Sequence, residues 1–152
     1  MASESAGLLL YRRRDGALEL LLAHMGGPFW ARRDERAWTI VKGEIEAGED
    51  QLETARREFA EETGSPAPDG PLLDLGEIRQ AGGKRVRAWA VEGDFDPASL
   101  RSATFTAEWP PRSGRQSEFP EIDRVRWCDP ETARRLLIAA QAVFVERLLE
   151  AL

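Results

Sequence analysis

The stretch Gly43–Ser65, GEIEAGEDQLETARREFAEETGS, decides how this chain is read. Asp50, with Glu53 three residues on, has the form of a capping box and starts a helix. The helix runs to about Thr63 and stops at Gly64, with Pro66 just beyond. Leu52, Ala55 and Phe59 recur at i, i+3 and i+7, so they share a face that packs on a sheet. Glu58, Glu61 and Glu62 stand at i, i+3 and i+4, within an arc of about 100°. Glu58 and Glu62 are like charges one turn apart, which costs a few tenths of a kcal/mol in an isolated helix. A solvated acidic face is one reading of such a cluster. A divalent cation among hard oxygen ligands, Mg²⁺ or Mn²⁺, is the other. Glu53 precedes Arg57 by four residues, the favourable order for a supporting ion pair.

Outward from this helix the chain reads mostly as strands. Ser5–Arg13 and Leu18–Met25 are two, joined through the turn signal Asp15-Gly16. Gly26-Gly27-Pro28 breaks the second, and a loop carrying Phe29 and Trp30 follows. Ala37–Val41 is a short strand, and Lys42–Glu49 a glycine-containing loop. Leu72–Gln80 and Arg85–Val91 form a hairpin around Ala81-Gly82-Gly83-Lys84, which lacks the spacing of a Walker loop. Thr104–Trp109 is a further strand, Pro110–Ser117 a polar loop, and Ile122–Trp127 the last strand. Thr132–Leu152 gives one or two helices. The order is not a regular βαβ alternation, so the expected class is α+β, a mixed β-sheet with helices on both faces. No repeat or low-complexity linker interrupts it, and residues 1–152 read as a single domain.

Composition narrows the function classes. A chain of 152 residues, 42% hydrophobic and 32% charged, has the balance of a globular protein with a real core. A net charge of −6 argues against a broadly basic nucleic-acid surface. No apolar run is long enough to cross a membrane, and Met1–Ser5 lacks the basic region of a secretory signal. One cysteine, Cys128, excludes an internal disulfide and a cysteine-rich metal site, so a cytoplasmic protein is expected. Acids concentrate between Glu44 and Glu62, while bases cluster at Arg12–Arg14, at Arg32, Arg33 and Arg36, and at Lys84, Arg85 and Arg87. That segregation suits a metal plus a small polyanion; solvated loops and strand ends are the bland alternative.

The spacing carries a resemblance. Gly43, five residues, Glu49, seven residues, then Arg57-Glu58-Phe59-Ala60-Glu61-Glu62-Thr63-Gly64 resembles the complete Nudix box, G-x5-E-x7-R-E-U-x-E-E-x-G-U with U a bulky apolar residue. All seven fixed positions are met; Ser65 stands where an apolar residue is usual. The box covers 23 of 152 residues, and the flanking strand order is loosely similar over most of the chain. The resemblance implies a Nudix-like α/β/α sandwich and Mg²⁺-dependent hydrolysis of a phosphoanhydride bond in a nucleoside diphosphate linked to another moiety. The partner it implies is a small-molecule nucleotide substrate, and a homodimer is the assembly that members of the family often form. Glu58 and Glu62 are implied as the principal metal ligands, with Glu61 as a further ligand or base and the Gly43 carbonyl as another donor. Arg57 is implied to orient carboxylates, including Glu49, and Gly43 and Gly48 to let the backbone bend around the site. Val41 departs from relatives with a W-x-I-P-K-G segment, which carry proline there.

The chemistry follows from charge: a phosphoanhydride repels hydroxide, a divalent cation neutralises its oxygens, and a carboxylate takes the proton from the attacking water. Candidates for that base are Glu61 and Glu62 inside the box, and Glu118 and Glu121 outside it, Glu121 preceding Trp127 by six. Lys42 directly precedes the box, beside the expected phosphates. Trp30, in a loop, is the candidate to stack on a base. Trp38, in a strand, reads as core, and His24 as structural. Candidate substrates are dinucleoside polyphosphates, nucleoside triphosphates and nucleotide sugars, the first two favoured. A nucleotide-sensing module without catalysis is the alternative, against which all the box carboxylates are present. Isomerisation on this fold would need a reactive cysteine, and nothing marks Cys128 as one.

Overall fold

The computed structural model describes residues 3–152, so Met1 and Ala2 of the segment read as no secretory signal lie outside it. Strand β1 (Glu4–Arg14) and strand β2 (Ala17–Met25) form an antiparallel hairpin with Arg14 opposite Ala17. The two residues between them, Asp15 and Gly16, have φ of 52° and 83°. Positive φ at both positions is what a type I′ turn requires, and Asp-Gly supplies it. Strand β1 is the centre of the sheet because its run Leu8-Leu9-Leu10 is apolar at every position, not at alternate ones. All three are buried, Leu8 and Leu10 toward one layer and Leu9 toward the other.

Strands β3 (Trp38–Thr39) and β4 (Val41–Glu44) follow, then helix α1 (Gln51–Thr63). Strands β5 (Leu72–Arg79) and β6 (Arg85–Glu92) form a second antiparallel hairpin. Strand β6 lies parallel to β1, Glu4 opposite Arg85, which makes the sheet mixed. The order is β3-β2-β1-β6-β5, with β4 also pairing β1. Strands β7 (Thr104–Glu108) and β8 (Gln116–Pro120) pair apart as a two-stranded sheet, and β9 (Ile122–Cys128) returns to pair β2. Helices α2 (Pro130–Leu136) and α3 (Ala142–Ala151) close the chain.

The helices cover both faces. Ala55 and Phe59 of α1 pack with Ala6, Leu8 and Leu10. Ala133, Leu136, Phe144 and Leu148 of α2 and α3 pack on the other side with Leu9, Leu20 and Leu22. The α+β class, with a mixed sheet between helical layers, is as the strand order implied. Trp38 is in the core at 2% exposure, and His24 is fully buried, its ring nitrogens 2.9 Å from Asp123 Oδ1 and 2.7 Å from the Arg33 carbonyl. Among the described residues no helix is long and apolar enough to cross a membrane.

Four boundaries differ from expectation. The strand read as Ala37–Val41 breaks at Ile40, because the chain leaves β2 and takes up pairing with β1. The loop read as Lys42–Glu49 therefore begins as strand β4, with Lys42 opposite Gly7 and Gly43 opposite Ala6. The loop read as Pro110–Ser117 ends early, since Gln116 and Ser117 already pair with Glu108 and Ala107. Helix α2 starts at Pro130, before Thr132, because Asp129 caps it by accepting from the Thr132 N–H.

Candidate active site

Helix α1 is fixed at both ends by its own sequence. Asp50 accepts from the Leu52 and Glu53 N–H groups, the N-cap half of the box expected; the return bond from the Asp50 N–H to the Glu53 carboxylate is not among those of the described residues. Gly64, at φ 82°, closes the helix by donating to the Ala60 carbonyl at 2.8 Å. With Ala55 and Phe59 directed to β1, the neighbouring face presents Glu58 and Glu62 toward β4, each nearly buried at 8% and 7%. Glu61, one position round, is half-exposed.

Arg57 ties the acids together. Its Nε and Nη2 donate to the two oxygens of Glu49 at 2.7 and 3.0 Å, a bidentate pair. Its Nη1 donates to Glu58 Oε1 at 2.9 Å and to Glu61 Oε2 at 3.1 Å. The expected pair with Glu53 is not made; the guanidinium turns to the loop instead, where Glu49 offers both oxygens. Arg57 and the Thr54 hydroxyl hold the Glu49 carboxyl at about 2. We expect Arg57→Lys, which keeps the charge but loses the fork, to lower kcat/KM roughly 10–100-fold while the far-UV circular dichroism is unchanged. Unaltered kcat/KM would mean that the carboxylates need no such holder.

The segment after η-turn Pro97–Ser99 completes the site. Ala103 donates its N–H to the Glu61 carbonyl at 3.0 Å and accepts from the Glu121 N–H at 2.8 Å. Glu121 is thereby brought to the end of α1. The result is a cleft of about 520 Å³ lined by Lys42, Gly43, Glu58, Glu61, Glu62, Lys84 and Glu121. Glu62 and Glu121 also border, with both lysines, an adjoining bay of about 340 Å³ walled by Trp30, Met25, Ile122 and Ile138. Glu118 lies on β8, exposed and outside both.

The electrostatics are those of opposed charges half removed from water. Burial, and then the charges of Glu121, Glu58 and Glu61, push the Glu62 carboxyl up to about 8. Burial raises Glu58 and Glu121 as well, Arg57 opposing it at Glu58. Burial, and then the neighbouring Lys84 ammonium, bring Lys42 down to about 8.

These residues fit a divalent cation. Glu62 Oε2 is buried without a hydrogen-bond partner, and such an atom is costly unless something electropositive meets it. Gly43 lies so close to Glu58 that a Cβ there would stand 1.9 Å from the carboxyl carbon, so its backbone edges the same space. Among the described residues no three acidic, histidine or cysteine side chains already enclose a single point. Like charges stay apart while Arg57 alone holds Glu58 and Glu61.

Sequence reasoning missed Lys84. It was read as part of a hairpin turn and of one of three basic clusters, with no place at the site, yet the parallel pairing of β6 with β1 carries that turn to the cleft beside Lys42. No local signal announces a contact across so long a separation. It likewise missed Gln80 and Thr39, which line the bay. Trp30 lies in the bay wall, edge-on to Phe29 with centroids 5.2 Å apart. Cys128 is buried in the core, and burial lifts its thiol to about 11, so it supplies no thiolate for an isomerase.

Comparison with known proteins agrees with this geometry. A family model described as the NUDIX domain matches residues 1–148. A bis(5'-nucleosyl)-tetraphosphatase (asymmetrical) from Sus scrofa is 38% identical over 108 residues, 63% of this chain and 69% of its own length. One of the same name from Rattus norvegicus is 32% identical over 108 residues, with the same 63% and 69% coverage. Among solved structures, a C. elegans Ap4A hydrolase binary complex superposes with a TM-score of 0.68 at 22% identity, over 98% of this chain and 96% of its own. At that identity the likeness speaks for the fold.

Proposed function

This chain belongs to the Nudix family, and from that premise we propose that it is a Mg²⁺-dependent pyrophosphohydrolase cutting a phosphoanhydride bond in a dinucleoside polyphosphate or nucleoside triphosphate. The observation that supports it best is Glu62 Oε2, a buried oxygen without a partner at the meeting of an acidic and a basic wall. Glu58 and Glu62 would hold the cation, with Glu61 and the Gly43 carbonyl as further donors; Mn²⁺ would substitute. When bound, the ion neutralises phosphate oxygens and activates water.

The rest falls to the chain's own groups. Lys42 and Lys84 receive the phosphate chain opposite the carboxylates. The desolvation that lowers Lys42 also strengthens its attraction for an anion. Arg57 keeps Glu58 and Glu61 in place and does not touch substrate. Glu121 borders the cleft, is free of Arg57 and has its pKa raised by burial, which suits a base that takes the proton from the attacking water. Trp30 offers a ring to a nucleobase in the bay. The names of the tetraphosphatase relatives favour the dinucleoside polyphosphates within this class.

The test is release of phosphate-containing products from diadenosine polyphosphates, nucleoside triphosphates, oxidised nucleotides and ADP-ribose, with Mg²⁺ or with EDTA. Cleavage of diadenosine polyphosphates or triphosphates that EDTA abolishes is the expected result. Nucleotide binding with no cleavage of any substrate would replace the enzyme with a sensor.

A further inference from the structure

A buried chain of hydrogen bonds runs from the start of α3 to the bay. Gln141 has no exposed surface. The Ile40 N–H donates to Gln141 Oε1 at 2.9 Å. A backbone amide can only donate, so this contact decides which end of the Gln141 side chain is oxygen. Its Nε2 must face the other way, where it donates to Thr39 Oγ1 at 2.9 Å and to Gln80 Oε1 at 2.8 Å. The Thr39 hydroxyl passes its own proton to the Ile40 carbonyl at 2.8 Å, which leaves its oxygen free to accept. Every buried member is satisfied; the Thr39 hydroxyl also lies 3.3 Å from Gln141 Oε1, and whichever oxygen takes its proton, Gln141 Nε2 remains the donor to Thr39 and Gln80.

The last link orients Gln80. Its oxygen is drawn inward by Gln141, and its Nε2 meets no hydrogen-bond partner among the described residues. Gln80 borders the bay together with Trp30, Ile122 and Ile138, and the bay opens onto Lys42 and Glu62. Apolar walls with a few convergent polar groups, next to a phosphate site, suit a nucleobase.

We propose that Gln80 is a specificity-determining residue that offers a donor, its Nε2, to the base of the bound nucleotide, and that Gln141 is the positioning residue that sets this polarity. The inference rests on the nucleotide reading above. A carbonyl oxygen on the base edge, as in guanine or uracil, meets that donor. The amino groups that adenine and cytosine carry where guanine has O6 and uracil O4 oppose it, donor against donor. The two-point pairing of a glutamine amide with adenine is opposed, because it needs the oxygen that Gln141 turns inward.

The experiment is equilibrium titration of the full chain in EDTA, which stops metal-dependent turnover, with GTP, UTP, ATP, CTP and inorganic tripolyphosphate. In the wild type we expect GTP and UTP to bind about 3–10-fold more tightly than ATP and CTP, the worth of one hydrogen bond. Gln80→Leu should flatten that ratio. Gln141→Glu touches no nucleotide but replaces the inner donor with a second acceptor. It should turn Gln80 round and reverse the preference, which a merely structural role would not do. Tripolyphosphate affinity should be the same in all three proteins. Equal base ratios in the wild type and Gln80→Leu overturn the proposal, and this holds if Gln141→Glu fails to fold. Base selectivity without metal-stimulated cleavage of any substrate would sink the hydrolase reading and leave this one standing. Absence of nucleotide binding in EDTA would sink this inference, while the hydrolase reading stands or falls on metal-dependent cleavage.

Discussion

Glu62→Gln is expected to lower turnover by about 10²–10⁴-fold and, in EDTA at pH 8, to raise the melting temperature. Both effects have one cause. Glu62 is nearly buried, faces Glu58, Glu61 and Glu121, and keeps one oxygen without a partner. Its carboxyl moves from the ordinary 4.5 to about 8 on folding. The folded protein therefore holds a proton that the unfolded chain has released, and stability falls as pH rises between those values. Glutamine has no proton to lose. The advantage of the variant should be absent at pH 4 and fully developed at pH 8, each kcal/mol adding about 2–4 °C for a chain of this size. Mg²⁺ should stabilise the wild type and leave the variant unmoved. Scanning calorimetry at the two pH values, with and without Mg²⁺, measures all of this beside the rate. A lower melting temperature at pH 8 together with near-wild-type turnover would remove Glu62 from the site.

Much of this was legible in the sequence, for definable reasons. Asp50 and Gly64 bound α1 through capping chemistry that acts within a few residues, and the structure puts the helix between them. The strand pairs around Asp15-Gly16 and Ala81–Lys84 were equally local. The grouping of Glu58, Glu61 and Glu62 follows from helical geometry alone. Illegible were the features made by pairing between distant strands. Strand β4 was hidden in an apparent loop because Lys42, Gly43 and Glu44 show no apolar alternation; their partners lie at Gly7, Ala6 and Ser5. Lys84 looked like any turn residue until β6 lay down beside β1. The bond of Arg57 to Glu49 was implied by the box spacing and is made, whereas the expected pair with Glu53 is not. The loop before α1 folds back to offer Glu49 with two oxygens.

Gly43 is where the structure changes the reason for a residue as well as its setting. The expected reason was a bending backbone, and at Gly48 the φ of 79° agrees with that. Gly43 instead sits in strand β4 opposite Ala6, and is not among the described residues with positive φ. What it needs is room: a Cβ would stand 1.9 Å from Glu58 Cδ and 2.1 and 2.3 Å from its oxygens. The Glu58 carboxyl can move, but only by leaving Arg57 and the cleft. Gly43→Ala should therefore cost little stability, about 1 kcal/mol, and much activity, on the order of 10²-fold or more. Gly48→Ala is the contrast. Nothing lies within 4 Å of its Cβ, so only backbone strain opposes it, again about 1 kcal/mol. Its turnover should stay close to wild type. Melting temperature and kcat for both variants decide the matter: similar stability with widely different rates ties Gly43 to the carboxylate it touches. Equal rates would return it to the role of a flexible hinge.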